Sequence, residues 1–393
     1  MATAASEGPP GRTNWLGNRA VRSFVVQAAL LLVVILLIGW FVRNTVQNLA
    51  QLHIASGFGF LGDRAGFNVQ TFLPFTPEST YGFALLAGLV DTIIVSLLGI
   101  AIATIVGLLL GVARLSKNWL IRTLAAFYIE SFRNIPPLLV ILFLYFAVIG
   151  ALPDPRNAVQ FGLGISLSNR GFFMPRPIFA DDFWWTPVAL LAGVLLAFAI
   201  GRWARRRQAR TGRQFPAISA GLIVIALLTV AVYMLSGAPV TFDVPVKTRF
   251  NLSGGMEVSP EFVSLVVSLG LYTAAFVGEI VRAGVMAVSA GQTEAASALG
   301  LRGGLTLRLV VLPQAFRVII PPLTSEYLNL TKNSSLAVAI GFADLVAIGG
   351  SVLNQTGQSV EVVFIWMVVY LGLSLITSYA MNVFNRRMAL VER

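Results

Sequence analysis

The 393-residue chain contains no cysteine and a single histidine, His53. Without thiols there is neither a disulfide framework nor a thiolate metal site. One histidine alone in a polar stretch is a surface residue and not the nucleus of a metal centre. Charge is scarce as well: 11% of the residues are Asp, Glu, Lys or Arg, against about 25% in soluble domains. The 17 acidic residues are scattered, so the clustered carboxylates of a membrane-embedded enzyme are missing. No Gly-x-x-x-x-Gly-Lys-Ser/Thr segment occurs, so the chain does not bind ATP by that motif. No catalytic residue, metal ligand or cofactor is therefore assigned to it.

What is present is apolar. Hydrophobic residues make up 56% of the chain and the mean hydropathy is +0.81. This predicts an all-α integral membrane protein, its partner the lipid bilayer, with about eight spans. Apolar runs fall at 24–42, 82–112, 124–150, 188–201, 217–235, 262–288, 324–347 and 362–383, most of them long enough for a hydrocarbon core. The first run exceeds the about 7–15 apolar residues of a secretory signal, so it reads as a retained anchor. Gly107 and Gly111 in the second form a small-xxx-small pair that lets helices approach closely. The third is interrupted at Arg133-Asn134-Ile135-Pro136-Pro137, where two missing backbone donors require a neighbour or a cavity. Phe183-Trp184-Trp185 reads as an interfacial aromatic belt.

The net charge of +11 does not indicate nucleic acid, because the basic residues sit in short segments beside the apolar runs. Eight spans place both termini on one side. That side carries 19 of the 28 Lys and Arg residues, six of them within 202–213, and the opposite side carries 7. The positive-inside rule then puts both termini and the segment 289–322 in the cytoplasm.

That segment is too ordered for a passive connector. Ser289 and Gln292 stand three apart, as in a capping box. Residues 294–299 favour helix, and Gly300 is suited to a left-handed helix end. A second helix-prone stretch, 305–312, is expected to be broken by Pro313 and by Pro321-Pro322. Ala295, Ala298 and Leu299 share a small apolar face at three- and four-residue spacing, fit for another protein's groove.

Here the chain resembles the permeases of binding-protein-dependent ABC importers. Their loop carries Glu-Ala-Ala, three residues, Gly, nine residues, then aliphatic-x-Leu-Pro. Glu294-Ala295-Ala296, Gly300, Val310 and Leu312-Pro313 fit every spacing, with Val310 in place of the commoner Ile. Residues 128–137 resemble the Glu-x-x-Arg-x-x-Pro segment of the polar amino-acid branch, and Tyr272 to Gly284, with Glu279 and Arg282, resembles its Tyr…Glu-x-x-Arg-x-Gly segment. Length and insertion resemble the Q-type permease subunit of the general L-amino-acid subgroup. The resemblance implies a five-helix type I importer core over 81–150 and 260–393. A tail, anchor helix and loop over 1–80 and a two-helix insertion over 151–259 are additional. It also implies a cytoplasmic ABC ATPase dimer holding ATP and Mg, a second related permease, a periplasmic amino-acid-binding protein and a place in the bacterial inner membrane. The loop 289–322 would be the coupling helix.

Polar residues within the spans are the remaining candidates. Lys332 lies about ten residues into its apolar run, roughly 15 Å deep as a helix. An unpaired lysine at mid-bilayer costs about 2.5–3.5 kcal/mol. With Asn333, Ser334 and Ser335 it either lines a translocation path or pairs structurally with Glu326 or another helix. Pro136, Pro137 and Asp91 are further pathway candidates, since broken helices offer both donors and acceptors to a zwitterion. Asp91 equally suits a hydrogen bond between helices. Glu130 with Arg133, and Glu279 with Arg282, are spaced for i,i+3 bridges or for a gate. A stand-alone secondary transporter or channel is the alternative function; no two inverted halves with matched broken helices are evident.

Overall fold

High hydropathy becomes helix almost throughout the described residues, which are 19–51, 56–248 and 252–388 of this computed structural model. His53, Arg12 and Arg249 lie outside them. The helices are α1 (Arg19–Gln51), α2 (Tyr81–Arg114), α3 (Trp119–Arg133), α4 (Pro137–Ala151), α5 (Trp185–Thr211), α6 (Ala217–Leu235), α7 (Pro260–Met286), α8 (Ala290–Ala298), α9 (Gly303–Thr306), α10 (Leu312–Asn333), α11 (Leu345–Thr356) and α12 (Ser359–Met388). Among the described residues seven stretches are long and apolar enough to cross a membrane, and the bent pair α3–α4 makes an eighth. The protein is an all-α membrane protein in its spans.

Three departures from the sequence expectation have local causes. The run 124–150 is two helices bent by 108°. Asn118 starts α3, its Oδ1 accepting from the Leu120 N–H at 2.9 Å. Asn134 ends it, its Nδ2 donating to the Glu130 carbonyl at 2.7 Å. Pro136 then precedes α4 and Pro137 is its first residue, where a missing N–H costs nothing. Second, the arginines of 202–213 lie mostly on helix, because α5 continues to Thr211. Third, the connecting segments hold short antiparallel strands. β1 (Val159–Gly162), β2 (Ile165–Ser168), β3 (Gly171–Met174) and β8 (Met256–Val258) form one sheet in that order. β4 (Arg176–Phe179) pairs with β5 (Val240–Asp243), and β6 (Val246–Lys247) with β7 (Leu252–Ser253). The sheet thereby ties the start of the insertion to its end.

The chain divides into two compact units. One comprises residues 1–91 and 343–375. Its core gathers Phe60, Phe75, Leu85, Leu345, Ile348 and Val362. Polar ties fix it: the Tyr81 hydroxyl donates to Gln355 Oε1 at 2.9 Å, and Trp366 Nε1 donates to the Leu345 carbonyl at 3.1 Å.

The other unit comprises residues 92–342 and 376–393, and α7 is its central helix. Ser259 caps it, accepting from the Phe262 N–H at 3.2 Å, ahead of Pro260. It packs against α3, α4 and α10. Its contact with the inner part of α2 is a glycine seam. A Cβ at Gly107 would meet the Val277 Cβ at 2.5 Å, and one at Gly111 the Val281 Cγ1 at 2.6 Å. Gly270 and Gly278 answer from α7, with Ile102 Cγ2 2.7 Å and Leu110 Cβ 3.1 Å from an added Cβ. Such spacing leaves no room for a methyl group and brings the backbones close enough for dispersion to replace the absent hydrophobic drive in lipid.

The seam gives the first prediction. Gly107→Val is expected to cost at least about 1–3 kcal/mol by overpacking and to lower the thermal midpoint in detergent. Gly372→Ala, where nothing lies within 4 Å, should be neutral or stabilising by up to about 1 kcal/mol. Equal losses at both positions would refute a seam.

Candidate docking loop and membrane polar face

The segment after α7 folds as α8, a left-handed turn, α9, a π turn at Leu307–Val311 and α10. Ser289 has the backbone of an N-cap, but its side chain makes no capping bond; the Gln292 N–H bonds the Ser289 carbonyl instead at 3.0 Å. The capping-box expectation is therefore corrected. Gly300 closes α8 at φ 74°, with its N–H on the Ser297 carbonyl and the Leu301 N–H on the Ala296 carbonyl, at 2.9 and 3.1 Å. This is the left-handed closure in which a Cβ would be strained.

All of α8 is exposed except one residue. Ala296 is buried at 4% exposure and anchors the helix. Glu294, Ala295 and Ala298 are exposed, and Leu299 is 82% exposed. Leu312 and Pro313 are half-buried where the segment re-enters the helical body. Gln314 Nε2 donates to Gln292 Oε1 at 3.2 Å, tying α10 back to α8. No spacing rule pointed to that bond or to the inward role of Ala296.

The prolines do not break the second helix. Pro313 stands at the start of α10, immediately after the π turn, and Pro321 and Pro322 lie inside it on the exposed side. Neighbours or water can satisfy the freed carbonyls there. The membrane-length stretch consequently runs over Gly303–Ile340 and not over 324–347. Lys332 falls in the last turn of α10, where the helix dipole favours a cation, and not ten residues into a span. It is exposed, and among the described residues no ion pair joins it to Glu326.

The other polar residues are distributed as follows. Asn333 is half-buried. The Ser334 and Ser335 hydroxyls donate to the Thr331 and Lys332 carbonyls, both at 2.7 Å. Ser334 is fully buried, and both hydroxyls thus serve their own backbone. Pro136 is exposed and Pro137 half-buried at the α3–α4 bend. Asp91 is fully buried in the first unit, where its Oδ1 accepts from the Phe72 N–H at 3.1 Å.

The two i,i+3 pairs behave differently. Arg282 and Glu279 form a bridge, with Nε 3.0 Å from Oε2. Glu130 meets Arg114 of α2 instead, Nη2 to Oε1 at 3.3 Å. Arg133 turns its guanidinium over the Phe276 ring, 5.7 Å from the centroid. The expectation of a Glu130–Arg133 pair is thus corrected: Arg133 is the last residue of α3, and the bend turns it toward α7. Tyr272 packs on Phe276 at 5.2 Å, and the Tyr128 hydroxyl donates to the Leu271 carbonyl at 2.9 Å. Glu326 of α10 is half-buried, within the electrostatic reach of both Arg133 and Tyr272. Arg133, Tyr272 and Glu326 make a polar face from α3, α7 and α10.

Comparison with known proteins gives consistent likenesses. The profile of the family described as "Binding-protein-dependent transport system inner membrane component" matches residues 259–390. The "General L-amino acid transport system permease protein AapQ" of Rhizobium johnstonii is 52% identical over 373 residues, covering 95% of this chain and 93% of that protein. The "Putative amino-acid ABC transporter permease protein YhdX" of Escherichia coli K12 is 46% identical over 379 residues, 96% of each. Among solved structures, a chain of the "Crystal structure of an amino acid ABC transporter with histidines" is 21% identical with a TM-score of 0.46, over 78% of this chain and 95% of that one.

The ion-pair partners are open to a direct check. A double-mutant cycle to alanine should give about 0.2–1 kcal/mol of coupling for Glu130 with Arg114 and none resolvable for Glu130 with Arg133. Chemical denaturation in detergent reads both.

Proposed function

This chain belongs to the inner-membrane components of binding-protein-dependent transport systems, the permeases of polar amino-acid ABC importers, and from that membership we propose that it moves L-amino acids across the bacterial inner membrane through coupling at α8. As an importer permease it is a transporter's membrane component and not an enzyme. The substrate class rests on the full-length likeness to a general L-amino-acid permease. A five-helix importer core over 81–150 and 260–393, with both termini cytoplasmic, accords with the distribution of arginine and lysine. ATP and Mg would be held by a partner ATPase dimer. A second, related permease and a periplasmic amino-acid-binding protein complete the proposed assembly.

The single observation that carries the coupling is the exposed face of α8. Glu294, Ala295, Ala298 and Leu299 stand clear of the chain's own core on a helix fixed by buried Ala296 and by the Gln292–Gln314 bond. A leucine 82% exposed at the C-cap of a nine-residue helix is suited to a partner's groove. Motion imposed there would reach α10 across the fixed left-handed turn at Gly300 and the Gln292–Gln314 bond, and from α9 to the end of α10 the backbone is helical without a break. A rocking of α10 against α7 would open the polar face to one side and then the other.

On that face a zwitterion needs a donor for its carboxylate and an acceptor for its ammonium. Arg133 on that face, and Lys332 further along α10 in its last, exposed turn, are cations without a carboxylate within bridging distance among the described residues, and Glu326 is an acid similarly without a salt bridge. We assign these three to the pathway, with Pro136 and Pro137 forming its bend. A stand-alone secondary transporter would have no use for the exposed face of α8.

Two outcomes test the proposal. Tagged wild type should co-purify an ATPase and a second permease. Glu294→Lys should lose the ATPase without a change in melting temperature, since the side chain is exposed, whereas Gly300→Val carries a further about 1–2 kcal/mol of backbone strain. Wild type that purifies alone and transports without ATP would overturn the coupling. Separately, Lys332→Met and Glu326→Gln should each abolish amino-acid uptake at least about tenfold, or about 1.4 kcal/mol of interaction, while the complex still assembles. Normal uptake by both would remove them from the pathway.

A further inference from the structure

The α5–α6 hairpin has a feature that transport does not use. Between Asp182 and Asp243 the sequence contains no acidic residue, yet it holds six arginines, Arg202, Arg205, Arg206, Arg207, Arg210 and Arg213. Among the described residues none of the six is in a salt bridge, and all are exposed. Orientation of the hairpin requires basic residues at one end, but not a groove beside them.

Such a groove is present. The two helices meet closely where an added Cβ at Gly193 would lie 3.0 Å from the Ile225 Cα, and one at Gly221 3.0 Å from the Ala197 Cβ. Alongside that seam runs a groove of about 270 Å³ lined by Phe198, Gly201, Ala217, Ile218 and Leu222, with Arg205 among them. Its walls are apolar apart from Arg205. From Trp185 to Gly201 the helix rises about 25 Å, close to the ~30 Å of a hydrocarbon core, so Arg205 stands at headgroup level.

Arg205 spends its Nε on the Gly201 carbonyl at 3.3 Å, which holds the guanidinium beside the groove and leaves its terminal N–H groups available. Arg202, Arg206 and Arg210 form an i, i+4 row next to it. Arg207 stacks over Trp203 at 5.3 Å, and Trp203 meets Phe215 edge-on at 5.4 Å. Aromatics of this kind sit at the membrane–water boundary. An acyl-sized apolar groove ending in a cluster of uncompensated guanidinium groups matches an amphiphile with a phosphate head.

We propose that the arginine end of the α5–α6 hairpin is a binding site for an anionic phospholipid, its acyl chain in the groove beside Gly201 and its phosphodiester on Arg205 and the neighbouring arginines. The charge complementarity selects the headgroup, and the groove distinguishes a bound lipid from a diffuse layer of counter-ions. Guanidinium forks suit phosphate oxygens better than ammonium groups do.

Native mass spectrometry of the full chain from mild detergent tests this, with phosphatidylglycerol or phosphatidylcholine added at equal concentration. Wild type should retain phosphatidylglycerol in preference. Arg205→Gln with Arg206→Gln should weaken retention by about fivefold for each charge removed. Gly201→Leu is the decisive variant: it keeps all six arginines, it lines the groove, and a Cβ there meets nothing within 4 Å, so the backbone accepts a side chain at that point. It should also lose phosphatidylglycerol. Should it prove unstable, Ile218→Trp, at a position 83% exposed, fills the same groove. Retention unchanged in both groove variants would overturn the site and leave the arginines as an orientation signal. Equal retention of phosphatidylcholine, or displacement of the lipid by millimolar inorganic phosphate, would overturn it too.

Discussion

Backbone hydrogen bonding within hydrocarbon is the constraint on which the rest of this structure depends. Every N–H and C=O inside a bilayer core must find a partner in the protein, so spans are helical and interruptions need support. Two of the helix breaks show residues that prepare the ends. At 134–136 the Asn134 side chain serves the last turn of α3 while Pro137 takes the first position of α4. At 341–344 the 3₁₀ turn after α10 closes at Gly341 and Asp344 caps α11. At 311–313 the chain meets a proline and does not break, because a π turn precedes it. The same constraint thus yields a sharp bend in one place and an uninterrupted helix in another.

Close packing follows from that constraint by a second step. Helices already satisfied in their own hydrogen bonds gain little from hydrophobicity in lipid and must fit by shape. The glycines of α2 and α7 provide the fit and make α7 the element against which α3, α4 and α10 are set. The proposed docking loop and polar face sit at the ends and on the face of this packed group. α8 emerges directly from α7, and α10 carries both the return from the docking loop and the acidic residue of the polar face. A push on α8 would reach the membrane through the Gly300 turn and the Gln292–Gln314 bond, while the α5–α6 hairpin packs mainly on itself.

Several features were legible in the chain before folding. Class, number of spans and the extent of α2, α6 and α12 follow from apolar runs whose lengths match a bilayer. The docking loop was legible because its residues act locally: Gly300 ends a helix by its own φ, and Ala295, Ala298 and Leu299 share a face by helical period alone. Gly107 and Gly111 announced a close approach without naming the partner helix. The pairings of β3 with β8 and of β4 with β5 were hidden, since they join residues about 60–85 positions apart, beyond the reach of any local pattern.

The sequence by itself determined a multi-span helical permease with an exposed, motif-bearing segment after α7, because hydropathy, charge asymmetry and a fixed-spacing motif are properties of neighbours along the chain. The Glu279–Arg282 bridge follows its spacing, but elsewhere tertiary structure decided which charges meet. Glu130 turns to Arg114 rather than Arg133, Arg133 to Phe276, and Lys332 to the exposed end of α10. It also decided that Pro321 and Pro322 are carried within a helix and that a groove lies beside Arg205. Spacing of three residues permits a bridge, but the choice of partner belongs to whichever helix the bends and glycine contacts bring alongside, and that is settled only in three dimensions.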